Sequence, residues 1–295
     1  MDGMLDIALP AGYRVADVRA FHGRDTEGVA ERVDAGGLKK GVLLDGVPTV
    51  LAIAFDADMA RCRILPDGPA TPALLAQAHD ALLNVLGLRI DPAAFAARAQ
   101  GDAVLGPVLA RQPGLRIVQS ATVFEALTWA IIGQQINLTF AIALRRTLIE
   151  LAGRHHTSGL WCYPEAQDVA RLALDDLTSR KFSKAKAETI LRVAQMVVDG
   201  SLSLDRTRDA DAVGRALLAI KGIGPWTVNY VLLRGYGYAD CSLHGDVAVR
   251  AALHRLTGSA ARPTLLEAEQ LLQRYAPHRT MAAAYLWASL GKPDS

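Results

Sequence analysis

The sequence predicts a mainly α protein in which a smaller α+β domain, residues 1–112, precedes a larger all-α domain, residues 113–295. Two observations carry this prediction. Signals for β-strands are confined to the N-terminal quarter of the chain, whereas apolar residues recur at helical spacing over most of the rest. Neither a low-complexity linker nor a fixed-period repeat is present, so we expect the two domains to pack against each other.

The strand signals centre on a predicted β-hairpin. Residues 41–44 and 47–55 are largely apolar runs that flank Asp45-Gly46, a dipeptide typical of two-residue hairpin turns. Residues 61–65 alternate in polarity and form a third candidate strand. Together these segments predict a small sheet in the first domain.

Capping residues mark where the predicted helices begin. Thr71-Pro72 and Asp91-Pro92 each combine an N-cap residue with proline at the first helical position. Residues 122–132 carry apolar side chains at helical spacing, and Asn137 can cap the next helix, which runs to about residue 151. Further helices are predicted at 165–172, 184–198, 209–220, 225–233, 247–256, 265–275 and 280–290.

Gly222-Ile223-Gly224 separates two of these helices and forms, with its flanks, a candidate helix-hairpin-helix over residues 212–235. The two glycines let the backbone approach another chain closely, because neither carries a side chain. Pro225 then begins the second helix, whose free N-terminal amides can bind an anion such as a phosphate.

The charge around this hairpin is more informative than the formal net charge of +2. Six basic residues and two acidic ones lie between residues 213 and 262: Arg215, Lys221, Arg234, Arg250, Arg255 and Arg262 against Asp240 and Asp246. A basic surface there suits a phosphate backbone. Each charge could equally be an ordinary solvated helix residue.

Cysteine usage and the N-terminus exclude several classes of protein. Cys62, Cys162 and Cys241 lie far apart, so a disulfide framework, a zinc site or a four-thiolate cluster cannot be built from them. The N-terminus is acidic where a signal peptide would be basic, and no apolar stretch is long enough to span a membrane. We therefore expect a cytoplasmic protein, and nothing in the sequence indicates an obligate oligomer rather than a monomer.

Together with Trp226, Tyr230 and Asp246, the hairpin resembles that of the helix-hairpin-helix DNA glycosylase superfamily. The likeness extends over nearly the whole chain to the 3-methyladenine DNA glycosylase II family of bacterial alkylpurine glycosylases, to which segments 124–127, 132–136, 163–164 and 182–187 are similar. The resemblance implies base excision repair: removal of alkylated purines such as 3-methyladenine and 7-methylguanine from double-stranded DNA, without metal or cofactor, by an enzyme that is nucleoid-associated when bound to DNA.

Asp246 is the expected catalytic residue. Cleavage of a glycosidic bond builds positive charge on the sugar, and a carboxylate beside it stabilises that charge and helps to orient or deprotonate the attacking water. Asp246 directly follows the hairpin, whereas Asp240 is expected to be a loop residue. The other role for Asp246 is to cap the helix that begins at Val247, and one residue can do both.

Trp226 bears on the products of the reaction. The superfamily members that also cut the DNA strand carry at this place a lysine, which forms a Schiff base with the sugar. The tryptophan found here implies a monofunctional enzyme, in which water attacks and an abasic site remains. Lys221, on the other side of the glycine turn, is not expected to replace that amine.

Trp226 and Tyr230 lie four residues apart on one helix face and could form an aromatic wall for a flipped base, although both could instead be packing residues. Aromatic faces attract a cationic alkylpurine. His278 stands where the family's best-known member has another pocket tryptophan. A histidine can also stack, but a protonated one would repel a cationic base.

Gln134 and Gln135 are expected on a turn between two helices. The resemblance implies that this turn enters the DNA and that a wedge, which we assign to Gln135, fills the gap left by the flipped base. A plain solvated turn is the alternative. The predicted DNA contacts are completed by Lys221, Gly222, Ile223 and Gly224.

A non-catalytic helix-hairpin-helix protein that binds damaged DNA is the main alternative function. Binding to a phosphate backbone requires neither Asp246 nor an aromatic pair, so these residues favour an enzyme. Glycosylases for oxidised guanine or mismatched adenine usually carry the hairpin lysine or the cluster cysteines that this chain lacks. Hypoxanthine release is left open as a side activity.

Overall fold

The computed structural model describes residues 3–291. Its N-terminal part is a five-stranded antiparallel sheet in the order β1-β5-β4-β3-β2. The strands are β1 Gly3–Ala8, β2 Glu31–Asp34, β3 Gly37–Leu44, β4 Val47–Phe55 and β5 Met59–Pro66. The small sheet is therefore confirmed, and it gains two edge strands, β1 and β2, that the sequence pattern did not predict.

The β3–β4 hairpin turns where the sequence predicts. Leu44 pairs with Val47, and the two residues between them, Asp45 and Gly46, have φ angles of 52° and 72°. A two-residue loop with positive φ at both positions matches the twist of the flanking strands, which is why Asp-Gly is favoured there.

Helices α1 (Val15–His22) and α2 (Pro72–Val85) pack on the sheet and complete the first core. Thr71 caps α2, since its side chain accepts a hydrogen bond from the Leu74 amide at 3.1 Å. Helix α1 was not predicted, because its N-cap residue Arg14 makes no such side-chain bond and the helix lacks that sequence signal.

The remainder of the described chain is mainly helical, as predicted. Its helices are α3 Pro92–Ala99, α4 Gly106–Arg111, α5 Val123–Gly133, α6 Leu138–Ala152, α7 Ala166–Val169, α8 Leu174–Thr178, α9 Lys184–Val198, α10 Ala210–Leu218, α11 Pro225–Val231, α12 Val247–Thr257, α13 Leu265–Gln273 and α14 Arg279–Leu290. Helix α11 continues into a π-helical turn, Leu232–Tyr236, and a two-residue ladder joins β6 Arg154–His155 to β7 Trp161–Cys162. Helix α5 is buried along most of its length and contacts α6, α9 and α11, so it forms the centre of the second core.

The two cores are not divided at a single point in the chain, since Val118 and Ala121 belong to the first core. Phe95 of α3, Val108 of α4 and Leu105, the N-cap residue of α4, belong to the second core, and both helices pack against α14. The domain boundary between residues 112 and 113 stays a prediction.

A buried ion network joins the sheet to the helices. Lys40 on β3 donates to Glu31 on β2 at 2.5 Å and to Glu125 on α5 at 2.8 Å. Arg145 on α6 binds the same two carboxylates at 2.5 and 2.8 Å. Burial raises the pKa of Glu31, but the charges of Arg145 and Lys40 outweigh this effect and hold that pKa well below its usual range. Four mutually paired charges thus fix α5 and α6 against the sheet.

Within residues 3–291, no helix is long and apolar enough to cross a membrane. The same residues contain no cluster of three or more His, Cys, Asp or Glu side chains that could hold a metal ion.

Candidate active site

The hairpin turn between α10 and α11 requires glycine at one position and leaves another open. Gly222 has a φ of +96°, and a Cβ placed there would overlap the Thr189 hydroxyl. Gly224 caps α11, and a Cβ added to it would meet no atom within 4 Å. Ile223 is buried and anchors the turn in the core, whereas Lys221 is exposed beside it. The backbone at Gly224 therefore faces open space.

An open cleft of about 1070 Å³ lies next to this turn. Its walls come from the α5–α6 connection, from α11 with its π-helical turn, from the start of α12 and from α14. Five predicted site residues line it, besides both hairpin glycines: Gln134, Gln135, Trp226, Tyr230 and Asp246. Residues from four separate parts of the chain thus share one cavity.

Asp246 is the residue on which the hydrogen bonds of the cleft converge. It caps α12, since its Oδ1 accepts from the backbone amides of Ala248 and Val249, both at 2.9 Å. Two indoles complete its surroundings: Trp287 Nε1 donates to Oδ1 at 3.1 Å and Trp226 Nε1 donates to Oδ2 at 2.8 Å. Four donors fix the orientation of the carboxylate, and Oδ2 keeps a lone pair free for a further partner. Asp246 is therefore a helix cap and a member of the cleft at once.

Three aromatic rings stand beside Asp246. The centroids of Trp226 and Tyr230 are 5.1 Å apart at an interplanar angle of 31°, and those of Tyr230 and Trp287 are 6.4 Å apart at 54°. The buried Trp129 of α5 donates from Nε1 to the Tyr230 hydroxyl at 3.1 Å. Trp226 and Tyr230 are half-buried, so they are neither core residues nor fully solvated. This arrangement is an aromatic wall with fixed ring orientations.

His278 is not among the residues that line the cleft. It is the N-cap residue of α14, and its backbone amide donates to the Tyr275 carbonyl at 2.7 Å. The ring that α14 contributes to the cleft is Trp287, further along the same helix. Helix α14 begins directly after His278, and it reaches Asp246 only near its C-terminal end, through Trp287. The sequence analysis missed Trp287 because nothing in the local pattern distinguishes it from a packing residue.

Asp240, the other carboxylate considered, is engaged elsewhere. Its Oδ2 lies 2.7 Å from Nη2 of Arg279, and its Oδ1 accepts from the Arg279 backbone amide at 3.1 Å. This pairing with the start of α14 is consistent with the loop position expected from the sequence.

The two glutamines of the α5–α6 connection differ in what they contact. Gln134 Nε2 donates to the Gly222 carbonyl at 2.9 Å and to the Thr227 hydroxyl at 3.0 Å, which ties the connection to the hairpin. Gln135 is exposed and has a φ of 55°. The left-handed backbone turns Gln135 away from the helical path of α5, while Gln134 holds the segment in place.

The two lysines near the hairpin, Lys186 and Lys221, do not line the cleft. Among residues 3–291, no lysine lines it. Lys186 lies nearby, but its Nζ donates to the carbonyls of Ile131, Ile132 and Gln134 at the end of α5. Burial lowers the pKa of Lys186. Its amine is engaged by the chain itself.

Arg234 also lines the cleft and was not singled out by the sequence analysis beyond its charge. It belongs to the π-helical turn that follows α11. A π-turn leaves no recognisable sequence signal, so the direction of this side chain could not be predicted.

Comparison with known proteins assigns this chain to a family. The model of the HhH-GPD superfamily base excision DNA repair proteins matches residues 128–278, just over half of the chain, and includes the hairpin and Asp246. A DNA-3-methyladenine glycosylase of Bacillus subtilis is 31% identical over 204 residues, which are 66% of this chain and 66% of that protein. DNA-3-methyladenine glycosylase 2 of Escherichia coli is 26% identical over 196 residues, covering 65% of this chain and 67% of that protein.

The chain thus spans about two thirds of the length of these curated relatives. Among solved structures, a 3-methyladenine DNA glycosylase from Archaeoglobus fulgidus has the same fold: its TM-score is 0.80 over 96% of this chain and 97% of that one, at 21% identity. The predicted family is therefore confirmed, and this chain belongs to the HhH-GPD superfamily of base excision DNA repair proteins.

Proposed function

We propose that this protein is a monofunctional DNA glycosylase that flips alkylated purines out of double-stranded DNA and hydrolyses their N-glycosidic bond, leaving an abasic site. The observation that carries the proposal is the Asp246 carboxylate, held by four N–H donors on the wall of a ring-lined cleft beside the hairpin. The relatives named as DNA-3-methyladenine glycosylases support the substrate class.

In this mechanism Asp246 acts on the sugar. As the bond between C1′ and the base nitrogen breaks, its electron pair leaves with the base and positive charge develops on the sugar. The carboxylate stabilises that charge, and the free lone pair of Oδ2 can orient the water whose oxygen attacks C1′. Because the four donors hold Asp246 before substrate arrives, little reorganisation is needed at the moment of reaction.

The aromatic rings receive the base. Reaching a base inside a duplex requires flipping it out at a cost of about a few kcal/mol. Stacking against Trp226, Tyr230 and Trp287 offsets part of that cost, and the ring faces favour a base that carries positive charge. An alkylated purine of this kind is already a good leaving group, so the cleft needs no strong general acid.

DNA contacts are proposed for the exposed surface around the cleft. The open backbone at Gly224, with Gly222, Ile223 and the exposed Lys221, suits a phosphate group. Gln135 projects from the α5–α6 connection as the proposed wedge, with Gln134 fastening that connection to the hairpin. We further propose that the protein acts as a monomer on DNA in the bacterial cytoplasm.

Water, rather than an amine, is the proposed nucleophile. Trp226 stands in the cleft, and the nearby Lys186 amine is bound to three carbonyls. Incubation with methylated duplex DNA should release free base and leave abasic sites, and borohydride should trap no covalent enzyme–DNA complex. A trapped complex would contradict the monofunctional mechanism. DNA binding without release of any methylated base would instead favour a non-catalytic damage-binding protein.

A further inference from the structure

A guanidinium group stands at the inner side of the aromatic cleft. The Cζ atom of Arg234 lies 5.8 Å from the centroid of Tyr230, 5.6 Å from that of Trp287 and 4.7 Å from that of Phe21. Arg234 also lines the same cavity as Asp246. Tyr230 and Trp287 line the cleft, so their contacts with Arg234 bring a cation close to the space that a flipped base would occupy.

The position of Arg234 is fixed by the backbone around it. Its Nη1 donates to the Val118 carbonyl, and its own carbonyl accepts from the Ser120 amide at 3.0 Å. Arg234 lies within the π-helical turn, which holds one more residue than a turn of α-helix, and this sets the direction of its side chain. Turns of this kind occur frequently at functional sites.

The hydrogen-bonding capacity of Arg234 is only partly used. Among residues 3–291, Val118 is the sole hydrogen-bond partner of its side chain, the buried Nε has none, and no carboxylate forms an ion pair with it. A guanidinium has five N–H donors in a rigid fork. Within residues 3–291 Nη2 has no hydrogen-bond partner, so its donors remain for a ligand that enters the cleft.

A second guanidinium adds to the positive charge behind the rings. Arg24 lies with its Cζ 3.8 Å from the Phe21 centroid and 5.2 Å from that of Trp129. Burial lowers the pKa of Arg24 to about 10, so it is still protonated at neutral pH. The cleft is therefore asymmetric: Asp246 supplies a negative charge where the sugar would lie, and arginines supply positive charge beyond the rings.

Given the proposed function, we infer that Arg234 is a specificity-determining residue that donates a hydrogen bond to the 6-carbonyl oxygen of a flipped purine. A 6-oxopurine such as 7-methylguanine or hypoxanthine presents an acceptor to the guanidinium. A 6-aminopurine such as 3-methyladenine presents N–H donors instead, so the pair repels. Arg234 should therefore raise the activity on 6-oxopurines relative to the activity on 6-aminopurines.

The same charge acts on the leaving group. When the bond from C1′ to a neutral purine breaks, the electron pair stays on the base and makes it an anion, while the water oxygen bonds to C1′ and gives up its proton to the Asp246 carboxylate. A neighbouring guanidinium stabilises that anion. Hypoxanthine, which leaves in this way, should depend on Arg234 more than 3-methyladenine, which carries positive charge before cleavage and leaves neutral.

The test compares Arg234→Met and Arg234→Lys with the wild type. Methylated duplex DNA reports 7-methylguanine and 3-methyladenine in the same reaction, and a duplex containing one hypoxanthine reports the neutral base. Thermal unfolding of each variant monitors the structural role of the Val118 contact. We expect Arg234→Met to lower kcat/KM for both 6-oxopurines relative to 3-methyladenine by about tenfold, the effect of losing a hydrogen bond from a charged donor. Arg234→Lys should restore part of the hypoxanthine activity, because it keeps the charge.

An equal loss for all three bases in Arg234→Met would overturn the inference and leave Arg234 a structural residue. Failure of the wild type to release any base would overturn the proposed function, whereas failure of this inference alone leaves base release intact and changes only the ratios.

Discussion

Trp226 Nε1 donates a 2.8 Å hydrogen bond to Oδ2 of Asp246. This contact links the hairpin helix α11 to the start of α12, and it is the only hydrogen bond that residues 3–291 make to Oδ2. A single side chain thus forms part of the aromatic wall and orients the carboxylate. The resemblance implies a lysine at this place in strand-cutting members, whereas tryptophan here supplies an N–H donor instead of a nucleophile.

Replacing Trp226 with phenylalanine should slow base release by about tenfold with DNA binding retained, since it keeps a ring and removes the donor to Oδ2. Trp287→Phe is the matched variant, because Oδ1 then keeps two backbone donors. Single-turnover rates on methylated DNA measure both. Equal rates for wild type and Trp226→Phe would show that the indole serves only as a ring.

The two hairpin glycines should respond differently to alanine. Gly222→Ala places a side chain at positive φ against Thr189 and should destabilise the protein by about 1–3 kcal/mol. Gly224→Ala enters open space at ordinary φ and should change stability by less than about 0.5 kcal/mol. Its added methyl group should nevertheless weaken binding to duplex DNA. Urea unfolding and fluorescence anisotropy measure the two effects, and unchanged DNA affinity in Gly224→Ala would contradict a close backbone approach.

The buried ion network should be sensitive to the loss of one partner. Lys40→Met leaves two buried carboxylates against one arginine and should cost about 3–5 kcal/mol of unfolding free energy. Lys39→Met, at the exposed neighbouring position on the same strand, is the control and should be close to neutral. Denaturant unfolding at neutral pH measures both, and similar values for the two variants would contradict a structural role for the network.

The lowered pKa of Glu31 makes the stability of the folded protein depend on pH. A carboxyl whose pKa is lower in the folded state contributes stability above its unfolded pKa of about 4.3 and loses it as the pH falls toward the folded value. The wild type should therefore lose stability between neutral pH and about pH 3, and this loss should be smaller in Lys40→Met, where less of the opposing positive charge remains.

The sequence predicted the part of the site that is contiguous in the chain. Trp226 and Tyr230 lie on the second helix of the hairpin and Asp246 follows shortly after it, so motif spacing was sufficient to place them together. Trp287 and Trp129 reach the same cleft from α14 and α5, and only tertiary packing brings them there. For the same reason His278, assigned to the pocket by position, lies at a helix start outside the cleft lining.

The prediction of the fold was limited in the same way, since only features that depend on local contacts could be located from the sequence. Asp45-Gly46 located a hairpin, and Thr71 and Asn137 located helix starts, because each acts through bonds to its own neighbours. The edge strand β2 has four residues and a polar sequence, Glu-Arg-Val-Asp. Its glutamate is buried because Lys40 and Arg145 meet it from other elements, which a local pattern cannot reveal.

The most direct test of the proposed function is release of 3-methyladenine and 7-methylguanine from methylated duplex DNA by wild type and Asp246→Asn. Asparagine can still cap α12, so the variant should fold and bind DNA. It lacks the negative charge beside the sugar, and its release rate should fall by at least about 100-fold. Turnover by Asp246→Asn close to that of the wild type would contradict catalysis by this carboxylate.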